Sequence, residues 1–84
     1  MELIEPTLTD MVLLAKLRKL RMEVARQNHL PTYCIFHNNV LAMLATDKPT
    51  TREEFLSIRG VGERSYNRFG DLFIQAIGEY IKLR

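Results

Sequence analysis

The sequence predicts a small all-α protein, a compact bundle of four to five helices. Apolar residues recur at the three- and four-residue spacing of helices near both ends of the chain. Gly and Pro are sparse, 4 and 3 of 84 residues, which disfavours disorder and a β fold rich in Gly/Pro turns. A chain of this length forms one domain and buries only about 60–65% of its unfolded surface, so it has little room for a deep active site. We assign residues 1–8 to an N-terminal tail and residues 9–84 to a single domain.

The first helix is predicted to begin at Thr7 or Thr9, either of which can serve as its N-cap. Apolar residues recur along it at helical spacing, namely Leu13, Leu17, Leu20 and Val24. The helix is expected to end near Asn28, ahead of Pro31, because proline disfavours the helical conformation of the residue before it.

The second helix follows an irregular, partly apolar connection over residues 31–36. Asn38 is predicted to be its N-cap. The apolar run over residues 40–45 indicates a short buried helix, which the residues around Pro49 should end.

The third helix begins with a predicted capping box of Thr51 and Glu54, in which each side chain accepts a hydrogen bond from the other residue's backbone N–H. Gly60 and Gly62 should break the chain after it, since glycines suit positive φ or close approach. The last helix is predicted over residues 63–83. One face of it carries the apolar side chains Tyr66, Phe69, Phe73, Ile77, Tyr80 and Ile81.

The net charge is only +2, from 12 basic and 10 acidic residues, so any electrostatic argument depends on where the charges lie. The first helix carries a basic run of Lys16, Arg18, Lys19, Arg21 and Arg26. On a helical wheel, Lys19 and Arg26 lie opposite the apolar stripe, whereas Arg21 leans toward that stripe and is expected to pair with a carboxylate. The run favours either a phosphate-binding face or an ordinary solvated face.

Two further features could contact nucleic acid. The turn at Gly60 and Gly62 presents backbone N–H groups at a helix N-terminus, a suitable anion site, and Arg59 and Arg64 flank it; the alternative is a tight turn with no ligand. Tyr33, in the loop before the second helix, could stack on an unpaired base or pack on the bundle.

Metal binding and catalysis are not expected. His29, Cys34 and His37 are too few for a zinc site of four ligands, and Cys34 is predicted to be a buried, inert thiol. No metalloprotease, phosphate-loop or hydrolase motif occurs in the sequence. The longest apolar run falls far short of the roughly 20 residues that span a bilayer, and the acidic N-terminus does not resemble a signal peptide.

The ordered set of these segments resembles an HRDC domain, the helicase-and-RNase-D C-terminal module. The resemblance covers about residues 10–82 and is closest to the form found in bacterial RecQ-type DNA helicases. It is carried by the segments Leu17-Arg18-Lys19-Leu20-Arg21, Pro31-Thr32-Tyr33-Cys34-Ile35-Phe36, Lys48-Pro49-Thr50-Thr51, Gly60-Val61-Gly62 and Phe69-Gly70, with Ala25 and Leu41 between them.

The resemblance implies a bundle of about five helices, one of them a short turn near Tyr33. It implies an accessory domain without catalytic residues or cofactors, because ATP and Mg²⁺ would serve only the parent motor. Its expected partner is single-stranded or branched DNA, bound by Tyr33, which matches the family's DNA-binding tyrosine, and by nearby basic residues. Ser65 stands where the family often has lysine, which weakens the case for a DNA surface centred on the glycine turn.

The candidate site therefore comprises Lys16, Arg18, Lys19, Arg26, Tyr33, Arg59 and Arg64. The domain is expected to be monomeric, cytoplasmic and associated with the bacterial nucleoid. Two alternatives remain: a protein-interaction module that docks on the helicase core or a partner, and an RNA-gripping domain of an RNase D-like exoribonuclease.

Overall fold

The computed structural model of the protein describes residues 6–83, and side chains from residue 11 onward. All of the regular secondary structure in this part of the chain is helical, as predicted. In order, it comprises α1 (Pro6–Gln27), a 3-10 helix (Thr32–Cys34), α2 (Asn38–Asp47), α3 (Arg52–Leu56), α4 (Glu63–Ser65), a π-helical turn (Tyr66–Gly70) and α5 (Asp71–Leu83). The last three segments follow without a break and form one C-terminal helix.

Helix α1 starts earlier than the sequence predicts. It begins at Pro6, so residues 6–8 are helical instead of forming a tail, and Thr7 and Thr9 lie inside the helix instead of capping it. Proline is well suited to the first helical turn because its missing N–H has no intrahelical acceptor there. At the other end the prediction is confirmed: α1 stops at Gln27, and the left-handed backbone of His29 (φ 58°) turns the chain away.

Helix α2 is buried along one side, as predicted, through Val40, Leu41, Leu44 and Ala45. The predicted cap, Asn38, is wrong by one residue. The Leu41 N–H donates to the His37 carbonyl at 3.1 Å, so the helical bonding starts at His37, which is the N-cap and makes no side-chain capping bond.

Half of the predicted capping box of α3 is present. The Thr51 hydroxyl accepts a hydrogen bond from the Glu54 N–H at 3.2 Å. The return bond is displaced by one residue, because the Glu54 carboxylate accepts from the N–H of Thr50 at 2.9 Å, not from Thr51. Both bonds still satisfy backbone donors at the start of α3.

The C-terminal helix buries the predicted aromatic and aliphatic face, Tyr66, Phe69, Phe73, Ile77 and Tyr80. Ile81 is the exception and is 39% exposed, because it lies about 80° around the helix from Phe73. Within the π-helical turn, Gly70 is required by close approach: a Cβ there would overlap the Tyr66 ring.

An aromatic cluster joins the elements at the centre of the core. The Phe36 ring lies 5.6 Å from the Phe55 ring and 5.0 Å, edge to face, from the Phe73 ring. Phe55 in turn lies 5.3 Å from Tyr66. The loop, α3 and the C-terminal helix therefore share one packed centre, against which α1 buries Leu13, Leu17 and Val24 while Leu20 is half-buried.

Only one of the two glycines between α3 and α4 is conformationally required. Gly60 has φ 99°, and a Cβ on it would lie 2.9 Å from Val40 Cγ2. Gly62 is extended (φ −97°, ψ 160°), and nothing lies within 4 Å of the position of its Cβ. The prediction that both suit positive φ or close approach is therefore right for Gly60 and wrong for Gly62.

We expect Gly60→Ala to lower the free energy of unfolding by about 1–3 kcal/mol, because alanine would be strained at this φ and would press on Val40. The matched variant Gly62→Ala should change the free energy of unfolding by less than about 1 kcal/mol, because the restriction of the unfolded chain offsets the weaker N-capping of α4 by alanine. Urea unfolding monitored by circular dichroism measures both. Equal effects of the two substitutions would contradict this account of the turn.

Candidate nucleic-acid interface

The basic residues of α1 form a band across its solvent face. Lys16, Arg18, Lys19 and Arg26 are all exposed. At about 100° per residue they cover roughly 160° of the helix circumference. Lys19 and Arg26 lie near the middle of this band, as predicted, and Lys16 and Arg18 lie at its opposite margins.

The margin at Lys16 faces the end of the C-terminal helix. Lys16 lines a shallow groove of about 220 Å³ together with Ala76, Glu79, Tyr80 and Leu83. An acidic side chain thus shares the groove with the lysine, and the local charge there is mixed.

The margin at Arg18 lies toward the loop that carries Tyr33. The link is Arg21, whose Nη1 donates a hydrogen bond to the Phe36 carbonyl at 2.8 Å. This corrects the predicted carboxylate partner: a backbone carbonyl supplies the acceptor instead. Burial, and then the nearby Arg18 charge, lower the pKa of Arg21, and its Nε has no hydrogen-bond partner among the described residues. Arg21 therefore serves the fold, and Arg18 remains on the surface beside it.

Tyr33 is displayed on the surface, because its 3-10 helix buries none of its residues. The side chain is 61% exposed, and its ring stacks beside His37 with a centroid distance of 6.3 Å and an interplanar angle of 25°. Cys34 is exposed as well, so the expectation of a buried thiol is wrong. Burial resumes only at Ile35, where the chain turns back into the core.

A groove next to this ring pair brings the glycine turn close to the loop. It has a volume of about 360 Å³ and is lined by His37, Asn39, Val40, Met43, Arg59 and Gly60. His37 contacts Tyr33 on one side and lines the groove with Arg59 on the other, so the structure unites two predicted site residues that are far apart in sequence. We name this feature the His37 groove.

Sequence reasoning missed three residues of the His37 groove. Met43 follows Asn39 by four residues within α2, the spacing of neighbours on a helical surface, and this spacing was the available signal for that pair. His37 lies in the connection between the 3-10 helix and α2, so helical spacing does not relate it to Tyr33. The contact between α2 and the Gly60 turn, which depends on tertiary packing, had no local signal.

Arg64 stands apart from the His37 groove. It is exposed in the first turn of α4, beside Glu63, whose carboxylate forms an exposed ion pair with Arg52 at 3.3 Å. The glycine turn therefore carries charges of both signs, and of its two flanking arginines only Arg59 lines the groove.

In the described part of the chain, no three His, Cys, Asp or Glu side chains are grouped so that they could hold a metal ion. Of its helices, none combines the length and the apolar character that crossing a bilayer requires.

The sequence of the chain is similar to a known family model and to several DNA helicases. The family model described as "HRDC domain" matches residues 10–77. The chain is 38% identical over 74 residues to the ATP-dependent DNA helicase RecQ of Pasteurella multocida, covering 88% of this chain and 12% of that protein. It is 34% identical over 71 residues to RecQ of Bacillus subtilis, covering 84% and 12%. It is also 29% identical over 68 residues to the ATP-dependent DNA helicase UvrD2 of Mycobacterium tuberculosis, covering 81% and 10%. The chain thus spans about an eighth of the length of the RecQ relatives.

We expect Arg21→Met to lower the free energy of unfolding by about 1–3 kcal/mol, because it leaves the part-buried Phe36 carbonyl without its donor. Arg18→Met removes the same charge from the same helix at an exposed position and should change stability by less than about 0.5 kcal/mol. Urea unfolding of both variants provides the comparison. If Arg18→Met were as destabilising as Arg21→Met, the loss would come from charge and not from the loop anchor.

Proposed function

The chain belongs to the HRDC domain family, and from this premise we propose that it is the nucleic-acid-binding accessory domain of a RecQ-type DNA helicase. It would hold single-stranded or branched DNA while a separate motor, which would use ATP and Mg²⁺, unwinds the duplex. On this proposal the domain itself performs no catalysis, and it acts as a monomer in the bacterial cytoplasm at the nucleoid.

One observation carries the proposal: Tyr33 is exposed and shares His37 as a neighbour with Arg59. An aromatic ring at the surface can stack on an unpaired base, which contributes about 1–3 kcal/mol per base. A cation within the same surface can contact the adjoining phosphate. The combination suits a single strand better than a duplex, whose bases are already stacked.

The basic band of α1 would supply the remaining phosphate contacts. Lys19 and Arg26 extend from its middle, and Arg18 lies on the side of the Tyr33 loop. Arg64 and Lys16 would contribute less, because carboxylates lie near both. Specificity would be for single-stranded or branched structure, since nothing in the chain resembles a helix designed to read base edges in a major groove.

The relatives favour DNA over RNA as the ligand. The three helicases named above act on DNA by name, and they support the helicase context over the RNase D-like alternative.

Docking on the helicase core or on another protein is the second candidate. It is favoured by exposed apolar side chains on the solvent face of α1, where Met11, Val12 and Met22 are 58%, 53% and 63% exposed. Apolar surface of this kind is more typical of protein contacts than of phosphate contacts. A mixed surface of cations and methionines could serve either partner.

We expect the 84-residue chain to bind a labelled single-stranded oligonucleotide with a Kd of roughly 10⁻⁴–10⁻⁶ M at physiological salt. Tyr33→Ala should weaken binding about 5- to 140-fold, from the loss of one stacked base. Lys19→Glu/Arg26→Glu should also make the log–log salt dependence shallower, by about 0.7 per lost phosphate contact. Fluorescence anisotropy at several salt concentrations measures all three.

The matched control is Arg68→Glu/Lys82→Glu, which changes the net charge equally but at exposed positions of the C-terminal helix. It should weaken binding less than the α1 pair does. Absence of binding by the wild type at low salt would sink the nucleic-acid proposal for this chain and leave protein docking as the function to pursue.

A further inference from the structure

We propose that the His37 groove is a pocket for one unpaired nucleobase of a DNA strand, with Arg59 contacting the phosphate beside that base. The inference rests on the proposed function and deepens it. It assigns binding roles to His37, Asn39 and Met43 and makes the groove, next to the Tyr33 ring, a second base-binding position.

The size of the groove fits one base. Its volume of about 360 Å³ lies at the lower end of the roughly 300–1,000 Å³ of small-molecule pockets. It is also too small for a base pair with its two backbones. Of the parts of a DNA strand, a single flat base with part of its sugar is the one that fits this volume.

The lining offers what a base requires on its faces and its edge. Val40 and Met43 supply apolar surface, and Met43 is 41% exposed although it faces the groove. A methionine sulfur makes favourable contacts with aromatic rings. The Asn39 amide can both donate to and accept from the edge of a base. The groove is therefore neither a purely apolar docking surface nor a purely ionic one.

Arg59 lines the groove, and no carboxylate of the described residues pairs with it. By contrast, the nearby turn also holds Glu63, whose carboxylate pairs with Arg52. Arg59 shares the groove with Gly60, which has no side chain to obstruct the approach of a strand at that end.

The rings at the mouth set the path of the strand. The Tyr33 and His37 rings are stacked, with centroids 6.3 Å apart and an interplanar angle of 25°, and His37 also lines the groove. A base stacked on Tyr33 and a neighbouring base in the groove would therefore lie on either side of His37. One continuous strand could thus place two adjacent bases, one stacked on Tyr33 and the other in the groove.

The test fills the groove and asks whether only base-dependent binding is lost. Met43→Trp places a large ring in the groove, and Leu72→Trp is the matched control at an exposed apolar side chain of the C-terminal helix. Each variant, after its fold is checked by circular dichroism, is titrated by anisotropy with a short oligothymidylate and with an abasic oligonucleotide of equal length. We expect Met43→Trp to weaken binding of the oligothymidylate about 5-fold or more, the loss of at least one base contact. The abasic strand should be unaffected, and Arg59→Gln should weaken both.

If Met43→Trp binds the oligothymidylate as Leu72→Trp does, the pocket is overturned, while weakened binding by Tyr33→Ala would still uphold the proposed function. A ¹⁵N NMR titration of the wild type with thymidine monophosphate separates the reverse case. Shifts confined to the amides of Asn39, Met43 and Gly60 support the pocket even if the oligonucleotide does not bind, and the absence of shifts there at saturating nucleotide counts against it.

Discussion

Phe36 is fixed both by its ring and by its backbone carbonyl, and the position of the exposed Tyr33 and His37 rings depends on it. Its ring packs against Phe55 and Phe73, and its carbonyl accepts a hydrogen bond from Arg21 of α1. Edge-to-face aromatic pairs contribute about 0.5–1.5 kcal/mol beyond burial, so the residue is anchored in the core by more than its backbone. Tyr33 lies three residues before it and His37 directly after it. The Tyr33 and His37 rings therefore lie next to an anchored residue. A ligand that stacks on them would not have to order a flexible loop, which would cost binding free energy.

The anchor also divides the cations of α1 between two roles. Arg21 is partly buried, and removing a charge from water is costly unless it is hydrogen-bonded; the Phe36 carbonyl supplies that bond. The four remaining cations of the basic run stay in solvent, where they contribute little to stability and are available to a polyanion. A chain with a net charge of only +2 thus presents four exposed cations on one side of α1, with the exposed Glu23 among them.

Local sequence signals predicted the elements well and their contacts poorly. The four helical regions, the buried face of α2 and the exposure of Lys19 and Arg26 followed from periodicity. Two predictions were wrong by one residue, the cap of α2 at Asn38 and the donor to the Glu54 carboxylate, which is Thr50 and not Thr51. Both errors arose because neighbouring backbone groups are nearly equivalent at a helix start. The exposure of Cys34 could not be derived from an apolar sequence context, since a single 3-10 turn reverses which side chains face the core. The pairing of Arg21 with Phe36 and the closure of Gly60 onto Val40 join residues that are distant in the chain, and no periodicity reports such contacts. The candidate site was therefore predicted as separate residues, and the groove that connects Tyr33 with Arg59 emerged only from the fold.

The order of these features around the molecule limits what one strand can touch. From Arg59 the surface leads across the groove to His37 and Tyr33. Beyond it, Arg21 joins the loop to the Arg18 margin of α1, and Lys19 and Arg26 follow on the solvent face. Lys16 lies at the far margin, against α5. A strand that begins in the groove can thus reach Arg18 before it reaches the middle of α1, and Lys16 is the candidate least able to share that strand with Tyr33.

The exposed methionines lie on the same solvent face as Lys19, so a protein docked there would compete with the far end of the strand while leaving the His37 groove open. If both proposals hold, DNA in the groove and a protein on α1 could be bound at the same time, whereas both could not use the middle of α1 at once.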